Sequence, residues 1–464
     1  VSVSVGCGAG GCQRDGSLLV TVEATDDKEV FAVDAAVDLD STRKVALTRG
    51  SDGKWTGTIS LDALEFPVLT GEAVVTVRAW DGARNMVPAT AGTVVTRVRW
   101  EYPAGATLTP AAVTAAGEAL VGRNALADQL LAVHPDGTKA WSLTLGGATV
   151  TTAPSIGAQA IWVGANDGKL YAVKLDGSGE LTSRTCTASG TSKGPPAVLT
   201  TGSTDVAFGA FSNGRIYASG PTCVPTAAGD PFSGGVVIDG AGAAIAASST
   251  ATTKALHRYP WDGEAFTAGW SVALSNTVVA PLALASGTSV ISASVGGELE
   301  RTTIAAGSGT VSRVNALAQS LDEQPIVLAN GDIVVGDASG KLHRLDADGR
   351  AVWDPPVDLG AAVHAPMVLT DGTSRTFLVA TDDGKLHALD DAGAPLWSGP
   401  LTSGPALGPG NLYTPPGARR SIAYFGGADG KLYAVLVEGW LDTSAPWPKA
   451  WHDARNTSRA GGGF

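Results

Sequence analysis

Only four cysteines occur in 464 residues, placed as Cys7 with Cys12 and Cys186 with Cys223. The set is sparse for this length, but an even, paired count predicts two disulfides and an oxidising, extracytoplasmic compartment. The second pair lacks Cys-x-x-Cys spacing and partner histidines, so no zinc site is expected. No Lys/Arg cluster appears, and 32 basic residues stand against 44 acidic ones, for a formal net charge of -12. Nucleic acid is therefore not an expected partner, because phosphate binding depends on concentrated positive charge; the acidity serves solubility. No run of eighteen apolar residues is present, so no transmembrane segment is expected. Helix-period patterns longer than two turns are almost missing. With 60 Gly, 25 Pro and many Thr and Val, the chain reads as an all-β protein rich in turns.

Residues 1–14 read as a glycine-rich lead. The chain begins at Val1 without a charged segment, so any targeting segment is expected to have been removed or to lie outside this sequence. Ser4-Val5-Gly6-Cys7, followed by Gly-Ala-Gly-Gly, loosely resembles a bacterial lipoprotein processing box. That resemblance implies a lipid on Cys7, although Ser4 stands where Leu, Val or Ile belongs. A short bridge from Cys7 to Cys12 is the alternative reading.

Residues 15–98 carry strand patterns at short intervals: Ser17 to Thr25, Phe31 to Asp38, Lys44 to Thr48, Trp55 to Leu61 and Ala73 to Trp80. Such spacing predicts a β-sandwich. Val75-Thr76-Val77-Arg78-Ala79-Trp80-Asp81-Gly82-Ala83-Arg84-Asn85 and Trp55-Thr56-Gly57-Thr58-Ile59 resemble strands of bacterial immunoglobulin-like surface domains. The two core cysteines of antibody domains are absent. The resemblance implies a spacer or adhesive module. Asp26, Asp27, Asp38 and Asp40 fall at loop ends, either as a calcium site or as solvated turn residues; the Asp-x-Asp-x-Asp-Gly pattern of a dedicated calcium loop is missing.

From residue 99 to 440 one unit recurs, typified by Ala380-Thr381-Asp382-Asp383-Gly384-Lys385-Leu386-His387-Ala388-Leu389-Asp390. Asp-Gly between alternating apolar residues predicts a hairpin. Aligning the residue after the turn gives Leu130, Leu170, Ile216, Leu256, Leu299, Leu342, Leu386 and Leu432, at steps of 40 to 46 residues. An apolar strand precedes each turn, a Pro commonly opens another strand upstream, and Trp141, Trp270, Trp353 and Trp397 mark an outer strand. Four short strands per repeat make one propeller blade, and eight copies predict an eight-bladed β-propeller. Arg97-Val98-Arg99-Trp100, followed by Pro110, repeats the outer-strand pattern. Trp100 is therefore the candidate for ring closure, unless these residues simply finish the sandwich.

Asp-Gly-Lys-Leu-Tyr-Ala-Val at 167–173 and 429–435, Gly-Lys-Leu-His-Ala-Leu-Asp at 384–390 and Gly-x-x-Leu-Trp at 393–397 resemble the pyrroloquinoline-quinone-type (PQQ-like) repeat. That family includes quinoprotein dehydrogenases and a non-enzymatic outer-membrane assembly lipoprotein. The dehydrogenases carry long pocket-forming insertions, calcium-holding acids and commonly adjacent cysteines. Near-minimal blades without adjacent cysteines place this chain nearer the second type, with no catalytic residue, metal or cofactor expected.

His257, His343 and His387 follow the aligned Leu, where Tyr171, Tyr217 and Tyr433 stand in other copies; they read as repeat-position aromatics. His134, His364 and His452 are isolated, without a Ser-His-Asp or nucleophile-elbow setting. Cys186 and Cys223 are expected in blade-linking loops.

Residues 441–464 form a Trp-rich tail. Its Trp447-Pro448-Lys449-Ala450-Trp451-His452-Asp453-Ala454-Arg455-Asn456-Thr457 resembles a tag that accompanies these repeats in secreted bacterial propellers. Trp447, Trp451 and His452 are expected to dock on the ring surface or to bind a partner. Two function classes follow. The first is a non-catalytic scaffold, secreted, periplasmic or on the cell surface, that binds another protein. The second is a self-assembling subunit of a surface layer or extracellular fibre, in which copies hold the glycine-rich ends.

Overall fold

The computed structural model describes every residue except 8–10, 63–65, 147, 220–222, 405 and 461–464. Gly8-Ala9-Gly10, Pro405 and the terminal Gly461-Gly462-Gly463-Phe464 therefore lie outside the described residues. The chain divides into two compact units, residues 1–99 with 397–399, and 100–396 with 400–464.

The first unit contains β1 (Ser2–Cys7), β2 (Ser17–Glu23), β3 (Val30–Val37), β4 (Asp40–Ala46), β5 (Thr48–Arg49), β6 (Trp55–Ser60), β7 (Thr70–Asp81) and β8 (Met86–Thr96). They pair as two four-stranded sheets, β1-β2-β6-β5 and β4-β3-β7-β8. Alternation places Leu18, Val20 and Val22 of β2 and Ala73, Val75 and Val77 of β7 in one shared core. The opening residues are thus not a lead. Val1-Ser2-Val3-Ser4-Val5 alternates with period two, and β1 pairs with β2 from Ser2 opposite Glu23 to Cys7 opposite Leu18. Cys7 and Cys12 form a disulfide with Cα atoms 5.1 Å apart, which leaves the Cys7 sulfur no free valence for a lipid.

Three of the four candidate calcium carboxylates are engaged by nearby backbone and side-chain groups. Asp26 accepts from the Lys28 and Glu29 amides, Asp38 from the Leu39 and Val74 amides, and Asp40 from Thr42, with Arg43 beside it at 2.8 Å.

The second unit is built from antiparallel sheets, each holding one aligned anchor. In the repeat of Leu386, Met367–Thr370, Arg375–Ala380, Lys385–Asp390 and Pro395–Pro400 lie side by side. All eight anchors are fully buried in the third strand of their sheet. Opposite each stands a small residue on the second strand: Gly122, Gly164, Ala210, Ala247, Ala293, Gly336, Ala380 and Gly426. The reason is space for the neighbouring sheet, since a Cβ on Gly336 would lie 2.5 Å from Val363. The turn itself is a β-turn from Thr381 to Gly384, closed by Gly384 N–H on the Thr381 carbonyl, with Gly384 at φ 79°. It is the longer hairpin form, in which a left-handed glycine follows the turn, rather than a two-residue loop.

Candidate functional site: the filled centre of the repeat array

The histidines and tyrosines after the anchors serve the turns. Tyr171 donates to Asp167 at 2.7 Å, Tyr433 donates to Asp429, and Asn213 donates to the Tyr217 hydroxyl at 2.9 Å. His343 Nε2 meets Asp337 at 2.8 Å, His257 Nε2 meets Ser248 at 2.7 Å, and His387 Nε2 meets Thr381 at 3.3 Å. Burial pushes His257 and His387 below the ordinary imidazole range. Burial and the Asp167 and Asp429 carboxylates push Tyr171 and Tyr433 up. Burial acts to raise Asp337, but hydrogen bonds from His343, Lys341 and Ser339 outweigh it and hold the carboxyl low. These side chains brace hairpins in separate sheets and converge on no common point.

His134 lies 3.2 Å from Glu118. His364 sits between Glu323 and Asp382, 3.0 Å from each. It borders an open cleft of about 790 Å³ lined by Thr107, Thr109, Asn124, Thr149, Asn166 and Asp382. A Gly-x-Ser-x-Gly stretch does occur at Gly190-Thr191-Ser192-Lys193-Gly194. It lies before the strand Ala197–Thr201, with Ser192 buried and its hydroxyl on the Gly194 carbonyl at 3.4 Å.

Cys186 and Cys223 are bridged, with Cα atoms 5.1 Å apart. They do not both occupy linking loops. Cys186 opens a fourth strand and pairs with Leu170, while Cys223 precedes the fourth strand Val224–Pro225 of the next sheet. The disulfide joins two neighbouring sheets at their outer strands. Trp100 lies in β9 (Val98–Pro103), next to Lys431–Glu438 in the sheet of Leu432.

The tail brings many side chains together, and it is not on a surface. Trp447 is fully buried, and Lys449, Trp451, His452, Asp453 and Asn456 are buried as well. Moving along it, Trp447 exchanges backbone hydrogen bonds with Val327, and the Pro448 carbonyl accepts from Val368. The carbonyls of Ala454, Arg455, Thr457 and Ser458 accept from Val113, Ile156, Val198 and Ile238. Each of these partners belongs to the first strand of a different sheet. Asn411, on another first strand, donates to the Ala454 carbonyl at 2.8 Å. First strands have one free ladder edge, and the tail satisfies those edges in turn.

Polar residues are required here because backbone amides and carbonyls point inward from many sheets. Lys449 Nζ donates to the Ala450 carbonyl at 2.5 Å, the Asp453 carbonyl at 3.0 Å and Asn456 Oδ1 at 2.9 Å. Asn456 Nδ2 donates to the Ala111 and Pro154 carbonyls at 3.0 and 3.1 Å. Asp453 accepts from Thr457 N and Oγ1 at 3.0 and 2.5 Å. Trp451 N–H donates to Gln324 Oε1 at 2.9 Å. Complete burial drags the Lys449 amine down to about 7, against the opposing charge of Asp453. The backbone is strained as well: Trp451, His452, Asn456 and Ser458 all have φ between 50° and 76°.

At the end of the tail's approach, Trp440 is 39% exposed. It stands between a cleft of about 430 Å³, lined by Tyr413, Leu412 and Val113, and one of about 590 Å³, lined by Arg375, Thr373 and Ser444.

Repeated four-stranded sheets around an inner strand are the architecture of a β-propeller. A family model described as outer membrane protein assembly factor BamB matches residues 297–450. BamB from Moraxella catarrhalis is similar in structure at 16% identity, with a TM-score of 0.53, covering 72% of this chain and 98% of that one. The computationally designed Ika8 protein is similar at 12% identity, with a TM-score of 0.58, covering 72% of this chain and 96% of the other. These likenesses define the fold alone. No curated protein matches the chain.

Proposed function

We propose that this chain is a non-catalytic extracytoplasmic scaffold. An eight-bladed propeller, closed by the strand of Trp100, binds a protein partner, and an immunoglobulin-like sandwich serves as spacer. The observation that carries the reading is the tail. The inner edges of the sheets are satisfied by the chain's own Trp447-to-Ser458 segment, so contacts with other molecules fall to the outer faces. Trp440, half-exposed between two clefts, has the aromatic character of an interface anchor. Two disulfides suit an oxidising compartment. A match to a family described as an assembly factor is in keeping with protein partners.

The test is site-specific photocrosslinking in the native cell envelope. A crosslinker in place of Trp440 should trap one discrete protein, and one in place of exposed Leu126 should not. Equal, diffuse labelling from both positions would remove the scaffold reading for this face.

A second reading, a self-assembling surface subunit, is favoured by β8. It is the outer strand of its sheet, pairs on its outer edge with residues 12–14 at Thr96, and exposes Met86, Val87 and Val94, and an apolar edge strand is a template for strand addition. Negative-stain images and sedimentation of the purified chain separate the two, since monodisperse particles at high concentration exclude the fibre. Dye-linked oxidation after addition of calcium and quinone would instead make the chain a dehydrogenase.

A further inference from the structure

We propose that Lys449 and Asn456 become joined by an amide bond between Nζ and Cγ, a covalent cross-link formed within the buried tail with release of ammonia. The pair is set up for it by geometry. Nζ lies 2.9 Å from Oδ1, and both side chains are essentially fully buried, Lys449 at 1% and Asn456 at 0% exposure. The carboxamide cannot turn away. Its Nδ2 is tied to the Ala111 and Pro154 carbonyls, and its Oδ1 also accepts from Asn411 Nδ2 at 3.2 Å. The Asn411 donor on the carbonyl oxygen polarises the carbon that the amine attacks.

A nucleophilic lysine needs its lone pair. In the ammonium form Nζ satisfies three acceptors. Burial lowers the amine to about 7, so near neutral pH the uncharged form is well populated. It gives up one of the three hydrogen bonds and gains a lone pair. The Trp451 ring, 5.8 Å from Nζ, helps to shut the site from solvent.

In the step itself, the Nζ–Cγ bond forms and the Cγ–Nδ2 bond breaks. A proton passes from Nζ to the departing nitrogen, which leaves as ammonia. The transfer needs no third group; Asp453, the single carboxylate between the two residues in sequence, is buried in the same turn and holds Thr457. No oxidant, metal or cofactor enters the balance. The left-handed residues Trp451, His452 and Asn456 bring positions 449 and 456 back together, and holding the reacting groups in place replaces the cost of an encounter.

Intact-mass measurement of the full, purified chain tests this directly. The expected mass is that of the composition with two disulfides, less one ammonia. A succinimide elsewhere also loses ammonia, so the denatured chain is digested with trypsin. With the cross-link, Lys449 resists cleavage, and the fragments on either side of Arg455 stay joined after cleavage there. A full composition mass, or free cleavage after Lys449, overturns the proposal. Lys449→Arg should restore the ammonia, which ties the loss to this amine.

Discussion

The indole N–H of Trp100 donates a 2.8 Å hydrogen bond to the Pro135 carbonyl, and its ring stands where a Cβ on Gly137 would come within 2.7 Å. The same contact recurs between consecutive sheets. Trp353 donates to Asp391 at 3.3 Å with Gly393 against its ring, and Trp270 donates to Ala305 at 3.2 Å with Gly309 against its ring. Trp100 thus makes toward the first sheet the junction that the repeated tryptophans make toward their successors. Gly137→Ala adds both a methyl against Trp100 and backbone strain at φ 88°. Gly360→Ala, at φ 82° with open space, adds only the strain, about 1–2 kcal/mol. In urea melts the first variant should lose clearly more than the second; equal losses would show that the Trp100 junction contributes nothing.

Acid should weaken the propeller through its aromatic slots. Burial lowers the pKa of His257, opposed by Asp230, and of His387, opposed by Asp383 and reinforced by Lys385. The unfolded chain titrates at the ordinary imidazole value and therefore binds these protons first as pH falls. Stability is unaffected above that value and declines as pH drops from it toward the lower folded-state value. His387→Tyr should flatten this limb. Tyr171 and Tyr433 each reach the Asp four residues before them, and a tyrosine at 387 would find Asp383 at the same spacing, a hydrogen bond worth about 1 kcal/mol. Thermal melts between pH 7 and pH 5 decide; a slope identical to that of the parent chain refutes the assignment.

Much of this was legible in the chain. The eight anchors, from Leu130 to Leu432, were found by alignment, and each lies at the same place in its sheet because one buried aliphatic per repeat must fill the gap between sheets. Position 343 read as aromatic through its register, and its histidine does face a turn carboxylate. The tail was not legible. Lys449, Asp453 and Asn456 look like exposed residues in sequence, because their partners are backbone carbonyls and amides that converge only once the sheets are assembled. Cys186 was misplaced for a related reason: its strand is two residues long, too short for alternation to register.

The two disulfides should differ in weight. Cys186 and Cys223 are 37 residues apart, and Cys7 and Cys12 only 5. Loop entropy alone gives about 4 kcal/mol for the first and about 2 kcal/mol for the second. Replacing Cys186 and Cys223 by Ala should lower the melt of the propeller and leave that of the sandwich in place, whereas replacing Cys7 and Cys12 should do the reverse. Calorimetry resolving two transitions checks this, and a propeller melt unmoved by the Cys186 and Cys223 replacements would mean that the bridge is absent in solution.

The tail should behave as core rather than as an appendage. Trp447 packs with Val237, Leu282, Val290 and Val327, residues from three sheets, so Trp447→Ala leaves a cavity among them and should cost about 3–5 kcal/mol. Asn456→Ala removes the donor to the Pro154 carbonyl, while the Ala111 carbonyl keeps Asn411 Nδ2 at 2.8 Å; the acceptor left dry costs about 1–3 kcal/mol. Ending the chain after Trp440 removes every such contact at once. Its product should be soluble only in part, with broad melting and rapid proteolysis between repeats, because the first-strand edges would be left open. If the truncated chain melts as cooperatively as the full one, the tail does not hold the sheets together, and the case for outer faces as the contact surface loses its main support.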